Sequence, residues 1–339
     1  MPSYSGYQDL KILHVGNVAS VGYYLVKALR DKGLEADLLT PMHTDIVSQP
    51  KEDWVIRSMN KTHTKFSSPL NLKQYDIIHM HYLQERLNRV ISARLLLKSK
   101  NQIKIVHAHS SITAGTTRTI PRINSALVRS GTKLMFYSTP NLLDLIKRFP
   151  QRKVFLPNPV DTTQFKPLNE DVFTNRVLCW VKLDHIKGID KILKIIKSCP
   201  NISFDIPKIG LAKEGFINQL PNNAHLINPV PHNQVPKLIS KYPVILGQLK
   251  IGTLGLSELE AMSCGKKVIT YWDRKYDKFY PEPCPVFSAF TVEDIRKFIF
   301  QAIDETSKQD FTYRNWVIKY HSIDIVADKL LNEYRTLIS

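Results

Sequence analysis

Short uninterrupted apolar runs alternate along the chain with stretches in which apolar residues recur every three or four positions. The first run, KILHVG (11–16), ends in glycine. Val21, Leu25, Ala28 and Leu29 follow at helical spacing up to Gly33, and ADLLT (36–40) supplies a second run. Strand, helix and strand within about 30 residues predict a βαβ unit with parallel strands and a right-handed crossover. The rhythm returns in DIIHMH (76–81), a basic helical stretch from Gln84 to Lys100, IKIVHAH (103–109), KLMFYS (133–138), a short helix near Asn141–Lys147, and VFLPN (154–158). These runs do not alternate apolar with polar, as expected when helices cover both faces of a parallel sheet.

The segment LPNPVDTTQFKPLNED (156–171), with three prolines and few apolar residues, reads as a linker. Beyond it the rhythm restarts with RVLCWVK (176–182), a helix from Ile189 to Lys197, and ISFDI (202–206). HLIN (225–228), a helix from Gln234, PVILGQ (243–248), a helix from Leu256, and KKVITY (266–271) continue it. The tail from Val292 is helical, and its last helix carries Trp316, Val317, Tyr320, Ile325, Val326, Leu330 and Tyr334 on an amphipathic pattern. The expected architecture is α/β, with two Rossmann-like doubly wound domains facing a cleft. Residues 1–165 form the first and 166–315 the second, and a helix over 316–339 packs back toward the first. Ligands on such sheets sit at the carboxyl ends of the strands.

A length of 339 residues fits two domains of roughly 150 each. With 43% hydrophobic residues and 13 Gly, the composition excludes disordered and collagen-like chains. No apolar run approaches the ~18 residues of a membrane-spanning helix, and MPSYSGYQDL lacks a signal pattern. Four Cys without C-x-x-C spacing argue against a disulfide framework or a thiolate zinc site. The expectation is a cytoplasmic protein. Charge changes the picture more. The net charge is +17, and residues 1–165 hold 23 Lys/Arg against 11 Asp/Glu. A basic first half suits an acidic partner: nucleic acid, anionic lipid headgroups or a phosphorylated small molecule. No nucleic-acid-binding motif accompanies the charge.

Four constellations could carry chemistry. The turn Gly16–Gly22 between strand and helix could bring backbone N–H groups to a phosphate, or need glycine only for its shape. His79/His81 and His107/His109 each lie on one side of a strand end. If the strands are neighbours, four imidazoles converge, as a metal site, as a hydrogen-bond donor facing the cleft, or as buried histidines bonded to backbone. Lys182 and Lys187, in KLDHIKG before a helix, could neutralise a diphosphate without a metal, or be two solvated lysines. In IGTLGLSELEAMSCGKKVI (251–269), a glycine-rich loop opens a helix whose amides at Gly255, Leu256 and Ser257 could hold a phosphate. Glu260 is placed there to accept from sugar hydroxyls. Glu258 points about 200° away from Glu260 and is expected in solvent.

The stretch LEAMSCGKKVI resembles the signature of the family-four ("group 1") glycosyltransferases, which have the GT-B fold. The likeness extends to Gly16 in the first βα loop, His109 after its strand, Ser138–Pro140, Pro157–Asp161, and the loop from Lys182 to Gly188. It implies a retaining, metal-independent glycosyltransferase of hexosyltransferase type, with no cofactor and a nucleoside diphosphate-sugar as co-substrate. Lys182 and Lys187 would hold the diphosphate, Glu260 the ribose, Gly255 to Ser257 the phosphates, and Pro229–Val230 would border the base. His109 would sit near the reacting sugar. The acceptor would be a glycan or a lipid-linked molecule.

This sequence departs from the family pattern at three places. Gly252 stands where the first glutamate of the family's pair is expected, eight residues before Glu260. Lys182 replaces an arginine, and Ser110 follows His109 in place of glycine. Gly252 motivates an alternative, a catalytically silent GT-B protein that binds a nucleotide or partner. The basic helix Arg86–Lys100, with Arg118, Arg122, Arg129 and Lys133, suggests peripheral contact with anionic lipid at the inner membrane face.

Overall fold

The structure is a computed structural model and describes residues 9–41, 52–58, 71–81, 102–109, 128–129, 131–210, 214–305 and 311–338. Two compact units emerge. Unit 1 runs to Pro159 and resumes at Ile323, and unit 2 spans Val160–Ser322.

Unit 1 is built on seven parallel strands: β1 (Lys11–Val15), β2 (Glu35–Pro41), β3 (Val55–Ser58), β4 (Ile77–Met80), β5 (Ile103–Ala108), β6 (Thr132–Tyr137) and β7 (Arg152–Phe155). Their order is β3-β2-β1-β4-β5-β6-β7. Helix α1 (Val21–Asp31) buries Val21, Leu25, Ala28 and Leu29, the stripe its spacing predicts. Its first turn is capped by Asn17, whose Oδ1 accepts from the Tyr23 N–H at 3.0 Å. A short α2 (Leu142–Ile146) follows β6.

Unit 2 contains β8 (Arg176–Cys179), α3 (Ile189–Ser198), β9 (Ser203–Pro207), α4 (Glu214–Ile217), β10 (Ala224–Ile227) and α5 (Val235–Ser240). It continues with β11 (Val244–Leu246), α6 (Leu256–Ser263), β12 (Lys267–Thr270), β13 (Phe287–Ser288), α7 (Val292–Asp304) and α8 (Thr312–His321). The strands are parallel in the order β10-β9-β8-β11-β12-β13. Alternation divides the apolar side chains between two layers. Leu178, Ile245 and Val268 pack with Leu259, Met262 and Trp316. Val177, Cys179, Val244, Leu246 and Ile269 pack with Ile192, Ile195 and Ile196 of α3 and Ile295 and Ile299 of α7. Both sheet faces are therefore covered, which is why the strands read as continuous apolar runs. Truncating one fully buried residue, such as Ile195→Ala, costs about 2–5 kcal/mol.

The apolar runs locate β1, β2 and β4–β12 to within a few residues. The described boundaries differ from the sequence division at 165 and 315. Phe165, Trp316 and Val317 belong to the unit 2 core, so unit 2 begins earlier and ends later than the periodicity suggests. The tail is also two helices rather than one. At Ser322 the backbone is extended (ψ 146), and the preceding His321 carbonyl accepts from the Val160 N–H at 2.7 Å. Helix α9 (Ile323–Ile338) then packs beside α1 in unit 1, where Lys32 pairs with Asp328 at 2.7 Å. No described helix is long and apolar enough to cross a membrane. In each sheet the strand order reverses at one point, between β1 and β4 and between β8 and β11. Ligands of open α/β sheets lie outside the carboxyl ends at such points.

Candidate functional site

In unit 2 the loops after β8, β11 and β12 are joined by one buried residue, Gln248. Its Oε1 accepts from Lys187 Nζ at 2.7 Å, and its Nε2 donates to the Thr253 carbonyl. Its backbone N–H donates to Glu258 Oε1 at 2.7 Å. Its carbonyl accepts from Thr270 Oγ1 at 2.7 Å and from the Tyr271 N–H at 3.0 Å. The Leu249 N–H adds a bond to the Lys187 carbonyl at 2.9 Å. Lys187 is thereby held, partly buried, against the loop that enters α6. Lys182 is exposed and, among the described residues, makes no ion pair.

Helical spacing predicts a solvated Glu258, and the structure buries it instead. Its Oε2 accepts from the Gly255 N–H at 2.9 Å while Oε1 takes the Gln248 N–H. A carboxylate in the first turn complements the positive end of the helix. Gly247 makes room for it, since a Cβ there would lie 2.7 Å from Glu258 Cγ and Oε1. Of the three amides singled out at the start of α6, Gly255 is thus already bonded, whereas Leu256 and Ser257 lie in the first turn, where N–H groups lack intrahelical partners.

Glu260 lies one turn in, with Oε1 2.9 Å from His232 Nε2. Burial raises its pKa above the ordinary carboxylate value; the His232 hydrogen bond and charge oppose this, and the Glu258 charge adds to it. Val230, two residues before His232, packs partly buried against the unit 2 core. Gly252 has φ +77°, in the left-handed region, and its carbonyl accepts from the Asp273 N–H at 3.0 Å. A Cβ at this position would sit 3.0 Å from Tyr271 Cε1 and 3.3 Å from Asp273 Cβ.

In unit 1 the equivalent sheet end is lined by histidines. β1 and β4 pair His14 with His79, and β5 lies on the far side of β4. His109 Nε2 meets His81 Nδ1 at 2.8 Å, and His81 Nε2 meets His14 Nδ1 at 2.9 Å. His14 Nε2 meets the Tyr334 hydroxyl at 3.0 Å, and that hydroxyl meets His79 Nδ1 at 2.6 Å. His79 Nε2 meets His107 Nδ1 at 3.2 Å. The side chain of Asn158 also bonds the His109 ring. Burial holds His14 and His109 down to about 3; it holds His79, His81 and His107 well below the ordinary value, with neighbouring imidazoles adding to it. All five rings are neutral at pH 7.

Nitrogens of His79, His81 and His107 lie within 4.8 Å of one another. The His79 and His81 rings, however, stack with centroids 4.6 Å apart and 12° between planes. Their in-plane lone pairs run side by side instead of converging, and both nitrogens of each ring already hold hydrogen bonds. This speaks against the metal reading. His107 Nε2, by contrast, has no hydrogen-bond partner among the described residues. The glycine turn after β1 holds its shape through the Gly16 N–H, which donates to the Leu39 carbonyl at 2.8 Å. Ala19 and Ser20 follow in the left-handed region, at φ 48° and 62°.

No family model matches the chain, and no curated protein matches it. Solved structures do. Sucrose-phosphate synthase from Thermosynechococcus elongatus superposes with a TM-score of 0.71 at 15% identity, over 97% of this chain and 99% of that one. The Anabaena protein HepE, solved with UDP and glucose, gives 0.71 at 12% identity over 96% and 99%. The catalytic domain of starch synthase IV from Arabidopsis thaliana, bound to ADP and acarbose, gives 0.63 at 12% over 97% and 98%. The fold is that of the GT-B glycosyltransferases.

Within this GT-B chain, Lys187, Gly255, Leu256 and Ser257 gather about Gln248 and Glu258 in unit 2. Glu260 pairs with His232 in the same unit, and Gly16 and His109 lie at strand ends of unit 1. The helix from Arg86 to Lys100, with Arg118 and Arg122, lies outside the described residues; Arg129 and Lys133 are exposed. Sequence reasoning missed Gln248, His232, His14 and the Tyr334 hydroxyl. The LGQ that ends the β11 run (246–248) is the one signal for Gln248, a polar side chain at a strand end directly before a glycine-rich loop.

Proposed function

We propose that the chain moves a sugar from a nucleoside diphosphate donor to an acceptor, with retention at the anomeric carbon and without a metal ion. The observation that carries this is the Lys187–Gln248–Glu258 assembly at the start of α6. It orients an ammonium group and first-turn amides at the switch point of a nucleotide-type sheet. Breaking a glycosidic bond to a diphosphate leaves negative charge on the leaving oxygens. Lys187, Lys182 and the Leu256 and Ser257 amides would stabilise it electrostatically. Glu260, oriented by His232, would accept from the donor ribose, Val230 would border the base, and Gly16 and His109 would lie beside the sugar. HepE solved with UDP and glucose, and starch synthase with ADP and acarbose, support the choice of co-substrate.

The reading is tested by thermal shift across UDP-, GDP-, ADP- and dTDP-linked sugars, since a bound donor raises stability by mass action. One of them should raise the melting temperature, and no shift with any would reject the reading. The acceptor would be a glycan or a lipid-linked molecule met at an anionic membrane surface. Flotation with anionic liposomes at low salt tests the membrane contact, and failure to co-migrate removes it.

A second reading, a GT-B protein that binds a nucleotide or partner without transfer, is favoured by Gly252. Its left-handed backbone disfavours a side chain, and a Cβ there would crowd the Tyr271 ring at 3.0 Å. Hydrolysis or transfer of any nucleotide sugar excludes this second reading.

A further inference from the structure

The unit 1 contacts form an unbroken series: Asn158, His109, His81, His14, Tyr334, His79, His107. A neutral imidazole has one N–H, so it donates from one nitrogen and accepts at the other. The Tyr334 hydroxyl likewise donates once, and it joins Nε2 of His14 to Nδ1 of His79. Each member's choice therefore dictates its neighbour's, and the whole series has a single sense. Two senses exist. Either all five rings are Nε2–H tautomers or all five are Nδ1–H tautomers.

The ends fit both. At the inner end, His107 Nε2 is buried with no hydrogen-bond partner among the described residues. A donor and a bare lone pair are equally unpaired there, each at a desolvation cost of about 1–3 kcal/mol. At the outer end the Asn158 carboxamide can donate or accept and suits either sense. His109 Nε2 is committed to His81, which leaves Nδ1 as the nitrogen facing Asn158.

We propose that Tyr334 is a positioning residue which, through His14 and His81, ties the tautomer of His109 to that of His79 and His107, so that all five rings share one sense. The sense of the series rests on unit 1 geometry alone. Its consequence for turnover rests on the reading that His109 borders the reacting sugar. The phenol acts through atoms far apart in sequence, since Tyr334 reaches across 255 residues to His79 and 320 residues to His14.

The test is long-range nitrogen–proton correlation on the full chain labelled with 15N-histidine, at neutral pH. Of the eleven histidines in the chain, the five rings of the series should show one shared neutral tautomer. Mixed tautomers among the five, or one doubly protonated ring, overturn the proposal before any variant is made. Tyr334→Phe removes the single oxygen that couples the halves. His109 should then leave the shared state for a mixture, and an unchanged His109 tautomer in the folded variant overturns the role of Tyr334. Kinetics separate this from the functional reading: the variant should lose kcat at constant donor KM. A shifted tautomer with normal kcat would sink the place of His109 beside the sugar and leave the series intact.

Discussion

Units 1 and 2 share one strand order and one switch point, and they fill the carboxyl ends of their sheets with opposite chemistry. In unit 1 the space is occupied by neutral rings that satisfy one another, four of them with no exposure at all. In unit 2 it is occupied by a lysine, a buried carboxylate, glycines and first-turn amides, organised around Gln248. Topology thus fixes where a site can be, and the loop residues decide whether that place is neutral or charged. A neutral ring pair resists titration, whereas an ammonium beside helix amides waits for an anion.

Acid breaks the comparison most strongly. The pKa values of His14, His79, His81 and His107 are depressed by burial, so their contribution to stability is complete above the unfolded value of 6.5. It is lost as pH falls. Each ring accounts for about 1.4 kcal/mol per pH unit in that window, and the four fully buried rings together for about 5.5 kcal/mol. Glu260 works in the opposite direction: its raised pKa gives stability that is present in acid and lost as pH rises through its folded value. Unit 1 should therefore melt first as pH falls. Trp180, Trp272 and Trp316 lie in unit 2 and only Trp54 in unit 1, so circular dichroism should change before tryptophan emission does. Coincident transitions, or stability that stays level from pH 7 to 5, would contradict this.

Glu258→Ala should come next. It strips the acceptor from two backbone amides, at about 1–3 kcal/mol each, and urea unfolding should report a loss of about 2–6 kcal/mol. Lys187→Ala should leave the melting point within a few degrees and lower kcat about 100- to 1,000-fold, the usual effect of removing one preorganised charge donor. Steady-state assays with the donor identified by thermal shift read this, and unchanged kcat would remove Lys187 from the mechanism. Gly252→Glu should have the smallest effect. Left-handed backbone at a side-chain-bearing residue costs about 1–2 kcal/mol, and the variant should gain no turnover because its Cβ crowds Tyr271.

The sequence exposes the strands because burial on both faces leaves continuous apolar runs such as DIIHMH and KKVITY. Strand β3 escapes because Val55–Ser58 places only two apolar residues before Arg57, and β13 is two residues long. The phosphate-type loop is legible as glycines next to a helix start. Its interior is not, because a helical wheel separates Glu258 from Glu260 without saying that both sides of α6 are covered. Tyr334 shows a similar limit. Its spacing along the C-terminal helix marks it as buried, which it is, but nothing local reveals that its hydroxyl serves two histidines in distant strands.

The return of α9 has a consequence for biosynthesis. A ribosome that has finished the last strand of the first unit must still add about 180 residues before Tyr334 emerges, some 10–35 s at ordinary elongation rates. Through that interval five imidazoles lie on a nascent sheet that lacks its central phenol. The second unit, encoded in one continuous stretch, can close by itself in the meantime, so the half of the molecule made first is the half completed last.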